Sequence, residues 1–165
     1  MKRFVILLAL ALPACGLKPL YAGGASGPVA SALGPVEIAA IEGRAGWLMA
    51  NALRDRLGDG GSARYRLDVR LDDAITGLGI RRDDAVTRER RSVRARYQLV
   101  DLTDGSVVLD ATAGSDAGID VVQSEYATIA AENTALERLS LIVADEIVAR
   151  LALYARANPR LEAAQ

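Results

Sequence analysis

The stretch Val93-Arg94-Ala95-Arg96-Tyr97-Gln98-Leu99 alternates without a break. Val93, Ala95, Tyr97 and Leu99 fall on one side of an extended chain, and Arg94, Arg96 and Gln98 on the other. That is the pattern of a strand with one buried face and one solvated face. The strand reads from Val86 to Val100. Asp101-Leu102-Thr103-Asp104-Gly105-Ser106 follows as a hairpin turn, with Gly105 for positive φ. The returning strand places Val107, Leu109, Ala111 and Ala113 inward, and Asp110, Thr112 and Asp116 outward. Upstream, Tyr65, Leu67, Val69 and Leu71 alternate with Arg64, Arg66, Asp68 and Arg70, so a further antiparallel strand comes before it. From Asp72 to Asp84 the apolar positions Ile75, Leu78 and Ile80 are interrupted by Gly77 and Gly79. This reads as a continuation with a bulge, then a turn at Arg82-Asp83-Asp84.

Outside this block the period changes. Val36 to Ile41 is a short strand, with Val36 and Ile38 alternating against Glu37. From Gly43 to Leu57, Gly46, Met49, Ala50, Leu53 and Leu57 form one helical stripe, with Arg44, Asn51, Arg54 and Asp55 mostly elsewhere. Trp47 sits on the flank of that helix and reads as a core or rim packing residue. Gly58-Asp59-Gly60-Gly61 ends it. Ser124 is an N-cap, with Glu125 in the first turn. The chain then holds no Gly or Pro until Asn158-Pro159. Leu136, Leu139, Val143, Ile147, Leu151 and Tyr154 are the apolar stripe of this long helix, opposite Arg138, Asp145 and Ala149. The order is strand, helix, three strands, helix. A sheet with one apolar face needs a cover and two amphipathic helices supply it. The expected fold is α+β: a two-layer sandwich with two helices packed on one face of a four-stranded, mostly antiparallel sheet.

The amino-terminal region is of another kind. Met1-Lys2-Arg3 is a charged start, and Phe4 to Leu12 is an apolar run too short to span a bilayer. Leu12-Pro13-Ala14-Cys15-Gly16 then resembles the bacterial lipobox. The resemblance implies cleavage before Cys15, a diacylglyceryl group on its thiol and acylation (palmitate) of its new amino terminus. A plain signal peptide with an incidental cysteine is the alternative. Residues 1–14 are thus read as a signal peptide, 15–34 as a lipidated Gly/Ala/Pro/Ser-rich tether, 35–157 as the folded domain and 158–165 as a tail. About twenty flexible residues reach on the order of 25 Å, enough to clear lipid headgroups.

Composition narrows the chemistry. The 165 residues hold 20 basic and 21 acidic side chains, and loss of Lys2 and Arg3 makes the remainder more acidic. Such a balance argues against nucleic acid as a partner. A single cysteine allows no internal disulfide. There is no histidine, so the commonest general base and transition-metal ligand are missing. With Cys15 assigned to lipid, no nucleophile–base pair is visible, and we expect no enzyme activity and no cofactor beyond that lipid. Asp72, Asp73, Asp83 and Asp84 approach the spacing of a calcium loop. Ala74 stands where an oxygen ligand is needed and Asp83 where the terminal glutamate belongs, so no metal site is assigned.

One feature exceeds background. Arg81, Arg82, Arg88, Arg90, Arg91, Arg94 and Arg96 crowd one region, and alternation puts Arg88, Arg90, Arg94 and Arg96 on the outward face. Two readings stay open. The row is either a solvated face paired across strands with Asp68, Asp110 or Glu89, or a surface for an anionic ligand, since guanidinium forks suit phosphate and carboxylate.

Three segments together resemble the lipopolysaccharide-assembly lipoprotein family, LptE, in its alphaproteobacterial form. The first is Cys15-Gly16-Leu17-Lys18-Pro19-Leu20-Tyr21. The second is the strand–helix unit with Asn51-Ala52-Leu53-Arg54-Asp55-Arg56-Leu57. The third is the terminal helix with Tyr126-Ala127, Ala130-Ala131-Glu132, Ala135, Glu137-Arg138, Ala144-Asp145, Ile147 and Arg150-Leu151. The resemblance implies a lipid-anchored protein on the periplasmic face of the outer membrane. It would plug the barrel protein LptD and help place lipopolysaccharide, or another anionic glycolipid, in the outer leaflet. Arg88, Arg90, Arg94 and Arg96 would then be contacts for lipopolysaccharide or the barrel wall. A subunit of another outer-membrane transport or secretion machine is the alternative.

Overall fold

A computed structural model of the chain describes residues 36–58, 62–80 and 86–158. Cys15, the expected signal peptide and tether, Arg81, Arg82, the expected turn at Asp83-Asp84 and most of the expected tail lie outside them. The elements are β1 (Val36–Ile38), α1 (Gly43–Leu57), β2 (Tyr65–Ile80), β3 (Val86–Asp101), β4 (Val107–Asp120) and α2 (Glu125–Ala157). The sheet order is β1-β2-β3-β4; β1 is parallel to β2 and the other pairs are antiparallel. Both helices lie on one face, as the apolar patterning predicts.

The strand register assembles the core in rows. Leu67 lies between Ile38 and Leu99, and Leu99 faces Leu109. The next row is Val69-Tyr97-Ala111 and the one after it Leu71-Ala95-Ala113. Leu67, Val93, Ala95, Tyr97 and Leu99 are all buried. Each such Leu or Val contributes about 1.5–3 kcal/mol through apolar area removed from water.

The helices cover these rows with the expected stripes. Gly46, Met49, Ala50, Leu53 and Leu57 of α1 are buried, as are Leu136, Leu139, Val143, Ile147 and Leu151 of α2. Gly46 lets α1 approach the preceding loop: a Cβ there would meet the Ile41 carbonyl oxygen at 2.5 Å. Arg44 reaches Asn133 and Glu137, and Arg56 reaches Asp145, so the two helices run side by side in the same direction. Ser124 caps α2 by accepting the Ala127 N–H at 3.4 Å. Gly58 ends α1 at φ +82°.

Four local expectations are corrected. β1 stops at Ile38 instead of Ile41, although the Ala39 N–H still donates to the Leu67 carbonyl. β2 carries no bulge: it runs through Gly77 and pairs Leu78 with Arg88 and Ile80 with Val86. The irregularity lies instead at Leu99/Val100 against β4. The extra residue reverses the alternation at the start of β4. Val107 therefore points to solvent, and Val108 packs on the core in its place. Trp47 is 64% exposed, so it is not a core residue.

Beyond the reach of α1 the inner face closes with an ion pair. Arg91 donates from Nε and Nη2 to the Asp73 carboxylate (2.8 and 2.6 Å) and from Nη1 to the Glu132 carbonyl (2.9 Å). It thus ties β2, β3 and α2 together, and both side chains are largely buried. The hydrogen bonds that Arg91 donates to Asp73 keep the guanidinium pKa above its ordinary value, against the opposing effect of burial.

These packings set the cost of three substitutions. Val143 is wholly buried at the centre of the α2 stripe. Val143→Asp should abolish folded protein, since an unpaired buried carboxylate costs several kcal/mol; thermal melting by circular dichroism checks it. Asp73→Ala should destabilise by about 2–4 kcal/mol, because it strands the buried Arg91. Asp120→Ala, on an exposed pair, should change chemical-denaturation stability by about 1 kcal/mol at most.

Candidate functional site: the arginine face

The parity that buries Tyr97 and Leu99 sends Arg88, Arg90, Arg94 and Arg96 to the opposite, helix-free face of the sheet, where all four are exposed. β4 supplies their partners. Arg88 donates to Asp120 at 3.1 Å. Arg94 donates from Nη2 to both oxygens of Asp116 (3.1 and 2.9 Å) and from Nη1 to the Ser115 carbonyl at 3.0 Å. Arg96 binds Asp110 through Nε and Nη2 at 3.2 and 3.0 Å, a two-point fork, and Gln98 adds a third donor to the same carboxylate at 2.8 Å. Arg90 is among the charges that hold the Asp116 carboxyl down.

The cross-strand pairing that the sequence allows is therefore present, with partners it only partly identifies. Asp110 is one. Asp116 and Asp120 are the others; the signal for them was the even spacing of aspartates on β4. Asp68 instead pairs with Arg66 on its own strand, at 2.8 and 3.0 Å. Glu89 has the odd parity of the inner face, and its Oε2 is buried without a hydrogen-bond partner among the described residues. Arg91 shares that parity and belongs to the core.

Two residues that were not singled out complete the surface. Gly114 lies opposite Arg94, and a Cβ on it would sit 2.4 Å from the Arg94 Cδ. Only a bare backbone lets Arg94 cross β4 to reach Asp116. Arg70 lies directly opposite Arg96 in the register. Like charges so placed repel, and among the described residues Arg70 has no ion-pair partner within 4 Å. Arg94 and Arg96 lean apart, toward Asp116 and Asp110. A groove of about 650 Å³ is lined by Arg70, Arg94, Arg96 and Thr112 together with the carboxylates of Asp72 and Glu146, and an adjoining one of about 690 Å³ shares Arg70 and Arg96. The arrangement can hold an anion among three guanidinium groups.

The carboxylates respond to this field. Hydrogen bonds from Arg96 and then Gln98 hold the Asp110 carboxyl below its ordinary pKa. Arg94 and then Ser92 do the same for Asp116. A carboxylate depressed in the folded state stabilises the fold above its unfolded pKa of about 3.9, and that contribution is lost as pH falls through the folded value. Arg94→Gln should therefore raise the Asp116 pKa, read by NMR titration of its carboxyl carbon, and leave Asp110 unmoved. Gly114→Val should raise the Asp116 value as well, by blocking the path of Arg94. An Asp116 pKa unchanged in both variants would contradict the pairing.

A family model described as LptE, Lipopolysaccharide-assembly, matches residues 33–151. No curated protein matches the chain. Among solved structures, the chain is similar to a protein of Caulobacter crescentus CB15 assigned as a lipoprotein. The two are 27% identical with a TM-score of 0.64, over 78% of this chain and 96% of that one. It also shares its fold with the rare lipoprotein B of Shewanella oneidensis (10% identity, TM-score 0.57, 76% of this chain and 98% of that one). Lipoprotein B of Nitrosomonas europaea is alike at the same level (10%, TM-score 0.60, 76% and 86%).

Proposed function

The chain belongs to the LptE family of lipopolysaccharide assembly, and from that premise we propose that it is a non-catalytic lipoprotein of the outer membrane. It is held on the periplasmic face by lipid on Cys15, seats as a plug in an LptD-type barrel, and assists the placement of lipopolysaccharide in the outer leaflet. The observation that carries this reading is the coincidence of the family match with an arginine-rich sheet face that the helices leave uncovered. Among the described residues no helix is long and apolar enough to cross a membrane. Attachment therefore falls to the acylated cysteine, and two or more acyl chains anchor stably where one does not.

The arginine face serves the role through exchange of partners. Asp110, Asp116 and Asp120 hold three of the arginines in the resting protein. A lipid A phosphate or a carboxylate of the barrel wall replaces them with a similar two-point contact. Arg70 and Arg96 are where an anion relieves a repulsion as well as forming a bond, so the groove they share is the preferred place of contact.

Two measurements test the reading. Cys15→Ala should shift the protein out of the outer-membrane fraction. Arg70→Gln with Arg96→Gln should leave the circular dichroism spectrum unchanged and lower lipopolysaccharide capture several-fold, with salt reproducing part of the loss. A folded double variant that captures lipopolysaccharide at the wild-type level removes this face from the function.

A further inference from the structure

The two edges of the sheet are treated differently. β4 carries Asp110, Asp116 and Asp120 along its length, and α2 reaches round it: Glu146 accepts the Gly114 N–H at 3.1 Å. Charges and capped amides of this kind keep an edge strand from recruiting another strand. β2 is not so protected. β1 covers it only at Tyr65, Arg66 and Leu67, and among the described residues no strand pairs with that side from Val69 to Ile80. Residues 72 and 74–77 are exposed, while the Asp73 side chain turns in to Arg91. The last seven, Ala74-Ile75-Thr76-Gly77-Leu78-Gly79-Ile80, contain no charge and no proline. The Leu67 carbonyl points to the open side, where it accepts the Ala39 N–H. By alternation, Val69, Leu71, Asp73, Ile75, Gly77 and Gly79 present their N–H and C=O groups there too.

We propose that a second copy of this chain pairs with that edge, β2 against β2 about a two-fold axis, when the protein is not seated in a larger assembly. The strand itself is what makes a second copy the fitting partner. An antiparallel two-fold centred at Ala74 or Ile75 uses the whole open stretch. It places Asp72 opposite Thr76 or Leu78, Arg70 opposite Leu78 or Ile80, and Asp73 opposite Ile75 or Gly77. No like charges face each other. A centre at Asp72 or Asp73 would set carboxylate against carboxylate. The register that satisfies the most backbone groups is thus also the one the charges permit, and the exposed Ile75 lies at or next to its centre. Such an interface is isologous, as closed dimers require. It does not rest on the barrel reading and can fail or hold separately from it.

Sedimentation of the full chain in density-matched detergent tests this. The wild type should form a concentration-dependent dimer. Ile75→Pro removes one amide from the open edge without touching the β2–β3 ladder, and edges tolerate proline. It should weaken the dimer at least tenfold. Ala74→Lys sets two charges near the axis and should do the same should the proline variant fail to fold. In a Cys15→Ser background, whichever of Ala74→Cys and Ile75→Cys lies on the two-fold axis should oxidise to a disulfide-linked dimer, since directly opposed residues in an antiparallel pair lie within disulfide reach; a failure of both overturns the register. Thr112→Cys, on the guarded strand, should stay monomeric. A wild type that is monomeric at every concentration, or a dimer that Ala74→Lys leaves intact, overturns the proposal.

Discussion

The structure depends on one constraint, the two-residue period of β3. This strand has a neighbour along both sides, β2 and β4, so its register fixes theirs. Its odd residues must face the helices and its even residues must face solvent. A slip by one would bury Arg94 and Arg96 and expose Tyr97 and Leu99. The apolar row fixes where α2 lies, and α2 with β2 fixes where α1 can fit. The arginine face results from the same requirement: whatever occupies the even positions of a central strand is displayed across the helix-free side.

Much of this was legible in the chain. Alternation gave the buried and solvated rows of β2 and β3, and helical spacing gave both stripes, including Val143 at the centre of α2. What stayed hidden has physical causes. A bulge shifts parity by one without a composition signal, so Val107 was placed inward where Val108 belongs. Gly77 and Gly79 read as interruptions because they lack side chains, yet the backbone ladder of β2 runs through them. The exposure of Trp47 depends on which neighbours fill the helix stripe, a tertiary fact. The arginine cluster divided by parity as expected, and Asp110 was named as a partner, but Asp116, the diagonal neighbour that Arg94 reaches on β4, was not. Finding it needs the register, and so does the opposition of Arg70 and Arg96.

Charge on the outer face is therefore organised before any ligand arrives. Three arginines are held by carboxylates, one of them faces Arg70, and Gly114 leaves room for Arg94 to reach Asp116. The mutual repulsion of Arg88, Arg94 and Arg96 is thereby offset within the sheet itself. On the proposed reading this face would bind anions by competition, and its affinity would depend on salt and on the charge of the incoming group more than on its shape. Such behaviour suits a protein that meets both acidic side chains and phosphates in one assembly step.

The most direct measurement of the central claim is affinity purification of the full chain from detergent-extracted outer membranes, with identification and stoichiometry of whatever accompanies it. A lipopolysaccharide-assembly plug should bring down one large outer-membrane barrel at a one-to-one ratio, together with bound lipopolysaccharide. Recovery of the chain with the components of a different transport or secretion machine, and without a barrel, would contradict the account.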